Sequence, residues 1–227
     1  MRKGMLELGM GLMMVFLVAA VFYSLNGKPA AAVEERGPVV VLDAGHGGND
    51  PGKVGVDGAL EKDINLSLVY KLRDLLEAED VTVILTREGD EGLYQESDTN
   101  KKRADMNARC QRIEEAKPDI TVSIHQNSFH EESVNGAQVF YYTGSEEGER
   151  LAGFLEESFR AEIGGENTRK SKANNEYYLL LHTSCPIVIV ECGFLSNWEE
   201  AAKLQDEGYQ DKLAWAIHLG ILKYLNR

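Results

Sequence analysis

Two histidines and two glutamates of this 227-residue chain are placed at the edges of apolar runs. Asp43-Ala44-Gly45-His46-Gly47-Gly48 follows the run that starts at Val39. Ser123-Ile124-His125-Gln126-Asn127 closes one begun at Ile120, and Glu191-Cys192-Gly193-Phe194 follows Ile187 to Val190. In open α/β sheets ligands collect outside the carboxyl ends of the strands, so polar residues at three such ends can meet in space. Glu61 joins them. It opens a helical segment three residues before Ile64 and seven before Leu68, on the side of the apolar stripe. A carboxylate there needs a partner, because an unpaired buried charge is costly. His46, Glu61 and His125 are a donor set suited to catalytic zinc, which takes three protein ligands and keeps one position for water.

Each of these residues also has a plainer role. A glycine-rich loop after a strand could bind phosphate, but neither G-x-G-x-x-G nor G-x-x-x-x-G-K-[ST] occurs. Glu61 could complement a helix N-terminus. His125 could be a structural histidine bonded to backbone, and Glu191 could form a salt bridge. It is their joint placement, at three strand ends and one helix start, that points to a site. Among the other histidines, His218 beside Ile217 and Ile221 reads as packed, and His130 in a polar loop reads as solvated. His182 could line a cleft without being a ligand. Cys110, Cys185 and Cys192 show no metal-type spacing. The strand between Cys185 and Cys192 spans roughly 23 Å, too far for a disulfide. Three structural thiols are expected.

The elements that must position these residues follow from periodicity. Strands are predicted at Val39–Asp43, Val81–Thr86, Ile120–His125, Gln138–Tyr142, Tyr177–Leu181 and Ile187–Glu191. Helices are predicted at Glu61–Glu79, Asn100–Ala116, Glu146–Ile163 and Asp211–Leu225. The segment from Gly164 to Asn175 is polar and reads as a loop; its Arg169, Lys170 and Lys172 could meet carboxylates. Alternation of this kind indicates an α/β layered domain with a largely parallel or mixed sheet.

Arg2 and Lys3 precede an uncharged stretch from Leu8 to Leu25. Its length reaches the lower bound of a bilayer span, about 17 residues. It also exceeds the usual apolar core of a signal peptide. An uncleaved anchor is therefore favoured over a cleaved signal, for which Ala30-Ala31-Ala32 offers small residues. Basic residues ahead of the run place the remainder outside. Residues 1–27 are expected to be this N-terminal hydrophobic helix, 28–37 a linker and 38–227 the catalytic domain. A formal charge of -13 excludes nucleic acid as a partner, since phosphate neutralisation needs clustered Lys and Arg.

The four motifs resemble those of the zinc-dependent N-acetylmuramoyl-L-alanine amidases: G-H-G-G, a Glu shortly after, S-I-H-x-N and E-x-G-F-[LI]-S-N. Here they are Gly45-His46-Gly47-Gly48, Glu61-Lys62-Asp63, Ser123 to Asn127 and Glu191 to Asn197. The similarity runs from about Val39 to the C-terminus. It implies a three-layer α/β domain whose mixed, mostly parallel sheet has about six strands flanked by helices. By this resemblance His46, Glu61 and His125 bind Zn²⁺ and Glu191 is the catalytic acid/base. Asn127, Arg169, Asn174 and Tyr177 are the residues expected to contact substrate. The implied reaction cuts the amide between N-acetylmuramic acid and L-Ala of peptidoglycan. Ala44 stands where many members carry Pro, and Leu181 where a basic residue is common. Asp43 to His46 and Tyr177 to Leu180 look most like the germination-specific amidases of spore formers, which prepare cortex peptidoglycan for muramic-δ-lactam formation. A zinc peptidase on stem peptides, or a catalytically silent wall-binding scaffold, are the competing readings. The resemblance leaves open an activating lipoprotein partner. The expected location is the outer face of the cytoplasmic membrane or the cell wall.

Overall fold

Runs such as Val39–Leu42 and Ile187–Val190 carry no polar alternation, so a strand built from them must be buried on both faces. The computed structural model puts them at the centre of a sheet. It describes residues 36–164 and 167–226, together with Met13, Met14, Leu17 and Val18, which are helical. The rest of the expected N-terminal hydrophobic helix, and most of the linker, lie outside the described residues. Among the described residues, no helix is long and apolar enough to cross a membrane. The chain divides into Met1–Arg36 and Gly37–Arg227, and the second unit carries the site.

The strands of this unit are β1 (Val39–Ala44), β2 (Thr82–Leu85), β3 (Ile120–Asn127), β4 (Gln138–Tyr142), β5 (Lys172–Asn174) and β6 (Ile187–Phe194). The helices are α1 (Glu61–Glu77), α2 (Lys101–Ala116), α3 (Glu146–Glu162), α4 (Tyr178–His182), α5 (Trp198–Gln205) and α6 (Glu207–Leu225). One sheet runs in the order β2-β1-β3-β6-β4-β5. β2, β1, β3 and β6 are parallel, and β4 pairs antiparallel with β6. The expected mixed, mostly parallel sheet between helical layers is what forms.

Side chains alternate across each strand. Val40, Leu42, Val122, Ile124, Val188 and Val190 pack on one side with Leu68 and Leu72 of α1, Leu155 of α3 and Ile217 of α6. Val41, Ile187 and Ile189 pack on the other with Cys110 and Ile113 of α2 and Leu179 and Leu180 of α4. The same parity puts Asp43, Ser123, His125 and Glu191 on the α2 and α4 side. Asp43 lies opposite Ser123, and His125 opposite Glu191, in neighbouring parallel strands. The register thus brings the motifs together at the carboxyl ends of β1, β3 and β6.

Two local expectations are corrected. The segment Tyr177–Leu181 is not a strand: Tyr177 caps α4, and the strand of this region is β5, inside the polar stretch read as loop. So short an apolar run carries no decisive period. Leu179 and Leu180 are adjacent and both buried, which a helical turn laid on the sheet permits and strand alternation does not. The second correction is at the C-terminus, where α6 begins at Glu207 rather than Asp211 and is preceded by α5. Both helices have side-chain caps: Asn197 accepts from the N–H of Glu200, and Asp206 from that of Tyr209.

Helices α3 and α6 touch at Gly220, where an added Cβ would lie 2.7 Å from Leu155 Cδ2 and 3.0 Å from its Cα. Alanine in a helix is worth roughly 1 kcal/mol over glycine. Overpacking against a backbone atom outweighs that, at about 1–3 kcal/mol. Gly220→Ala is therefore expected to destabilise the domain, measured as a lower urea midpoint with unchanged slope. A rise in the midpoint would mean that this helix contact is looser than the geometry states.

Candidate metal centre and its cleft

Glu61 opens α1 and is 1% exposed, so its carboxylate must be satisfied from within. Oε2 accepts the backbone N–H of Lys53 at 2.7 Å, and Oε1 accepts that of Gln126 at 3.0 Å. His125 Nδ1 is 3.0 Å and His46 Nε2 is 3.2 Å from the same Oε1. Burial opposes ionisation of Glu61, but the two imidazoles hold its carboxyl far below the usual carboxylate range. The reciprocal effect raises the pKa of His46 despite burial, with Glu61 and then Asp50 as the causes. Asp50 Oδ2 takes the other ring nitrogen of His46, Nδ1, at 3.0 Å, which turns Nε2 toward Glu61.

The loop from β1 that carries His46 is held in an unusual shape. His46 has φ 64, a left-handed conformation that a non-glycine residue adopts at a cost of about 1–2 kcal/mol. Gly45, just before it, must be glycine: a Cβ there would sit 2.2 Å from the His125 ring. Two arginines that the sequence reading passed over grip this loop. Both are 1% exposed. Arg87 Nε donates to the carbonyl of Ala44 at 2.9 Å. Arg109 donates to the carbonyls of Ala44 at 2.8 Å and His46 at 2.6 Å. Arg109 also pairs with the fully buried Asp43 at 2.6 Å, and with Asp105 one turn away on α2. The hydroxyls of Ser123 and Thr86 donate to Asp43 as well. Asn65, one turn after Glu61, donates to the carbonyl of Gly45 and accepts from the side-chain amide of Gln126. A signal for Arg109 was present, since it sits on the stripe of Met106, Cys110 and Ile113 where solvated charge is out of place.

Glu191 is 5% exposed. Its Oε1 accepts the hydroxyl of Tyr177 at 2.9 Å, whereas Oε2 is buried with no hydrogen bond among the described residues. Burial raises its pKa above the usual carboxylate value, more than the nearby His125 lowers it. A buried carboxyl with one oxygen anchored and the other uncommitted is suited to moving a proton.

An open cleft of about 960 Å³ is lined by His46, Glu61, His125 and Glu191 together. Of the expected substrate residues, Asn127 and Tyr177 line it. Arg169 and Asn174 do not. Arg169 lies over the Phe194 ring and donates to the carbonyl of Asn135, so it ties the β4 approach in place. The Asn174 side chain accepts the N–H groups of Glu176 and Tyr177, a turn that sets the tyrosine. His130 is exposed, His182 is exposed and bonded to the carbonyl of Tyr178, and His218 is buried in α6. The three cysteines are free thiols.

A His-Glu-His cluster beside a buried carboxyl, at the carboxyl ends of parallel strands, is a hydrolytic centre in its arrangement. The chain belongs to the N-acetylmuramoyl-L-alanine amidase family, which matches residues 40–223. It is 35% identical over 216 residues to the germination-specific N-acetylmuramoyl-L-alanine amidase of Bacillus subtilis strain 168, covering 94% of this chain and 90% of that one. It is 41% identical to the CwlD amidase of Clostridioides difficile, whose structure was solved in complex with the GerS lipoprotein. That match has a TM-score of 0.81 and covers 83% of this chain and 98% of the other. The catalytic domain of CwlV from Paenibacillus polymyxa var. colistinus is 31% identical with a TM-score of 0.72, covering 83% and 98%. The family and fold implied by the four motifs are borne out, and the activity is that of an N-acetylmuramoyl-L-alanine amidase.

Asp43 supplies a test of the frame. Burial alone would raise its pKa, but Arg109, Ser123 and Thr86 lower it from 3.8 to about 2. Its stabilising contribution is therefore complete above pH 3.8 and is lost as pH falls through 2. That shift corresponds to about 2 kcal/mol. Urea unfolding of Asp43→Asn is expected to show a stability loss at pH 6. Between pH 4 and pH 2 its profile should be flatter than wild type by that amount. Parallel profiles would mean that the Asp43 carboxylate is not held by Arg109.

Proposed function

We propose that the chain is a zinc-dependent amidase in which His46, Glu61 and His125 hold the ion and Glu191 moves the proton. Two imidazoles and one carboxylate form a donor set that zinc takes in hydrolases. The ligand atoms lie within 4.8 Å of one another. The separations of 3.0 and 3.2 Å from Glu61 Oε1 are close to the roughly 3.3 Å between neighbours around a tetrahedral zinc with bonds near 2.0 Å. Bound there, zinc supplies Lewis-acid chemistry, making water acidic near neutral pH and polarising the scissile carbonyl.

The chain's own residues supply the rest. Glu191 Oε2 takes the proton of the water that attacks the lactyl carbonyl of N-acetylmuramic acid. It returns that proton to the departing L-Ala nitrogen as the C–N bond breaks. Tyr177 fixes the other oxygen, so the carboxyl keeps one orientation through both transfers. The observation that carries this role is a buried carboxyl in the cleft lining with one oxygen anchored by Tyr177 and the other without a hydrogen bond among the described residues.

The biological reading is a role in germination, as the name of the Bacillus subtilis relative suggests, and, from the resemblance of the motifs, maturation of spore-cortex peptidoglycan toward muramic-δ-lactam. The hydrophobic stretch of residues 8–25 supports attachment to the bacterial membrane with the domain on the outer face. The relative solved with GerS supports a lipoprotein partner here too.

Glu191→Gln should keep the zinc content of the parent and lose about 10²–10⁴-fold in kcat. Digests by the parent should yield new amines on L-Ala alone. New amines on any other stem residue would make the chain a peptidase. Activity of the variant within tenfold of the parent would remove Glu191 from the mechanism.

A further inference from the structure

The chain has 37 acidic and 24 basic residues, so the five cations that line its catalytic cleft beside six carboxylates call for a reason. Lys53, Lys101, Lys102, Arg103 and Arg109 all line that cleft. Arg109 is committed to Asp43 and Asp105, and Lys101 to Glu96. Lys53, Lys102 and Arg103 are exposed and make no ion pair among the described residues. Lys53 is rooted at the centre itself, since its backbone N–H donates to Glu61. Lys102 reaches the same side: Asp50, raised by burial, is lowered by its bonds from His46 and Gly52 and by the charge of Lys102. The acidic groups of the lining are mostly committed elsewhere, and Asp50 alone shares its charge with Lys102. Asp50 engages His46, Asp105 engages Arg109 and the N–H of Leu93, and Asp43, Glu61 and Glu191 are buried. Glu176 is the one exposed carboxylate left in the lining, next to Tyr177.

We propose that Lys53, Lys102 and Arg103 form a subsite for a free carboxylate on the amine side of the scissile amide. The chain then prefers stem peptides whose second residue keeps its α-carboxylate over those in which that group is amidated. This inference rests on the amidase reading above and adds the substrate class to it. An α-carboxylate on the residue after L-Ala is at most about 7 Å along the chain from the scissile bond. That is within reach of Lys53, rooted at Glu61, and of Lys102, which faces Asp50, with Arg103 next to Lys102 in the same lining. The interaction is an exposed ion pair, so it is modest and screened by salt.

The test is steady-state hydrolysis by the full chain of two muropeptides identical except at that group, one acid and one amidated. Wild type should favour the acid by about 5- to 10-fold in kcat/KM, through KM, and the gap should narrow as salt rises from about 0.05 to 0.5 M. In the double variant Lys102→Gln, Arg103→Gln the gap should fall to within about twofold. In Lys212→Gln, Lys223→Gln, which removes equal charge outside the cleft, the gap should persist. Equal KM values for the two substrates in wild type would overturn the subsite. So would a gap that survives in the cleft variant, or one that shrinks equally in the remote variant. Failure of wild type to release peptide from either substrate, both alone and with the lipoprotein partner proposed above, would instead overturn the amidase reading, and this inference with it.

Discussion

A carboxylate buried at the start of a helix organises this candidate metal centre. Glu61 cannot ionise where it sits without donors on every side, and the fold supplies them from three directions. The N–H of Lys53 comes from the loop before α1, the N–H of Gln126 from the end of β3, and the imidazoles from His46 and His125. The contacts join the loop before α1, the β1 loop and the end of β3 to the same two oxygen atoms. Without the carboxylate those segments lose their common partner. With it, two histidine nitrogens are held close together on a rigid element, which is what a metal ligand set requires.

A second constraint lies beneath the first. Carbonyls turned inward by the left-handed His46 conformation need donors, and the apolar core has none. Arg87 and Arg109 provide them, at the expense of burying two guanidinium groups. Asp43 compensates Arg109, and Ser123 and Thr86 complete the shell of Asp43. A buried ion pair of this kind adds little net stability, while removal of one partner costs several kcal/mol. Its role here is positional. It fixes the β1 loop so that His46 meets Glu61, and strand register then brings Glu191 alongside His125.

Much of this could be read from the amino-acid pattern, for physical reasons. The central strands are apolar on both faces and α1 has a clean helical stripe, so element type and the place of Glu61 were both legible. The motif ends marked His46, His125 and Glu191 because polar residues there have few other uses. What stayed hidden depended on partners far away in the chain. Arg109 is out of place on the apolar stripe of its helix, but its purpose is hidden until Asp43 and the His46 carbonyl are known to face it. Arg169 looks like a substrate cation until Phe194 and Asn135 are placed beneath it. Tyr177–Leu181 was misassigned because five residues carry too little period to separate a buried turn of helix from a strand.

The most direct measurement is calorimetric titration of zinc into the metal-free chain, in parallel with Glu61→Gln. Wild type should bind one ion per chain. Glu61→Gln, still folded by circular dichroism, should lose more than about 100-fold in affinity, beyond what loss of a group merely hydrogen-bonded to a ligand costs. Absence of zinc binding in wild type, or affinity in Glu61→Gln within tenfold of it, would contradict a metal centre built on this carboxylate.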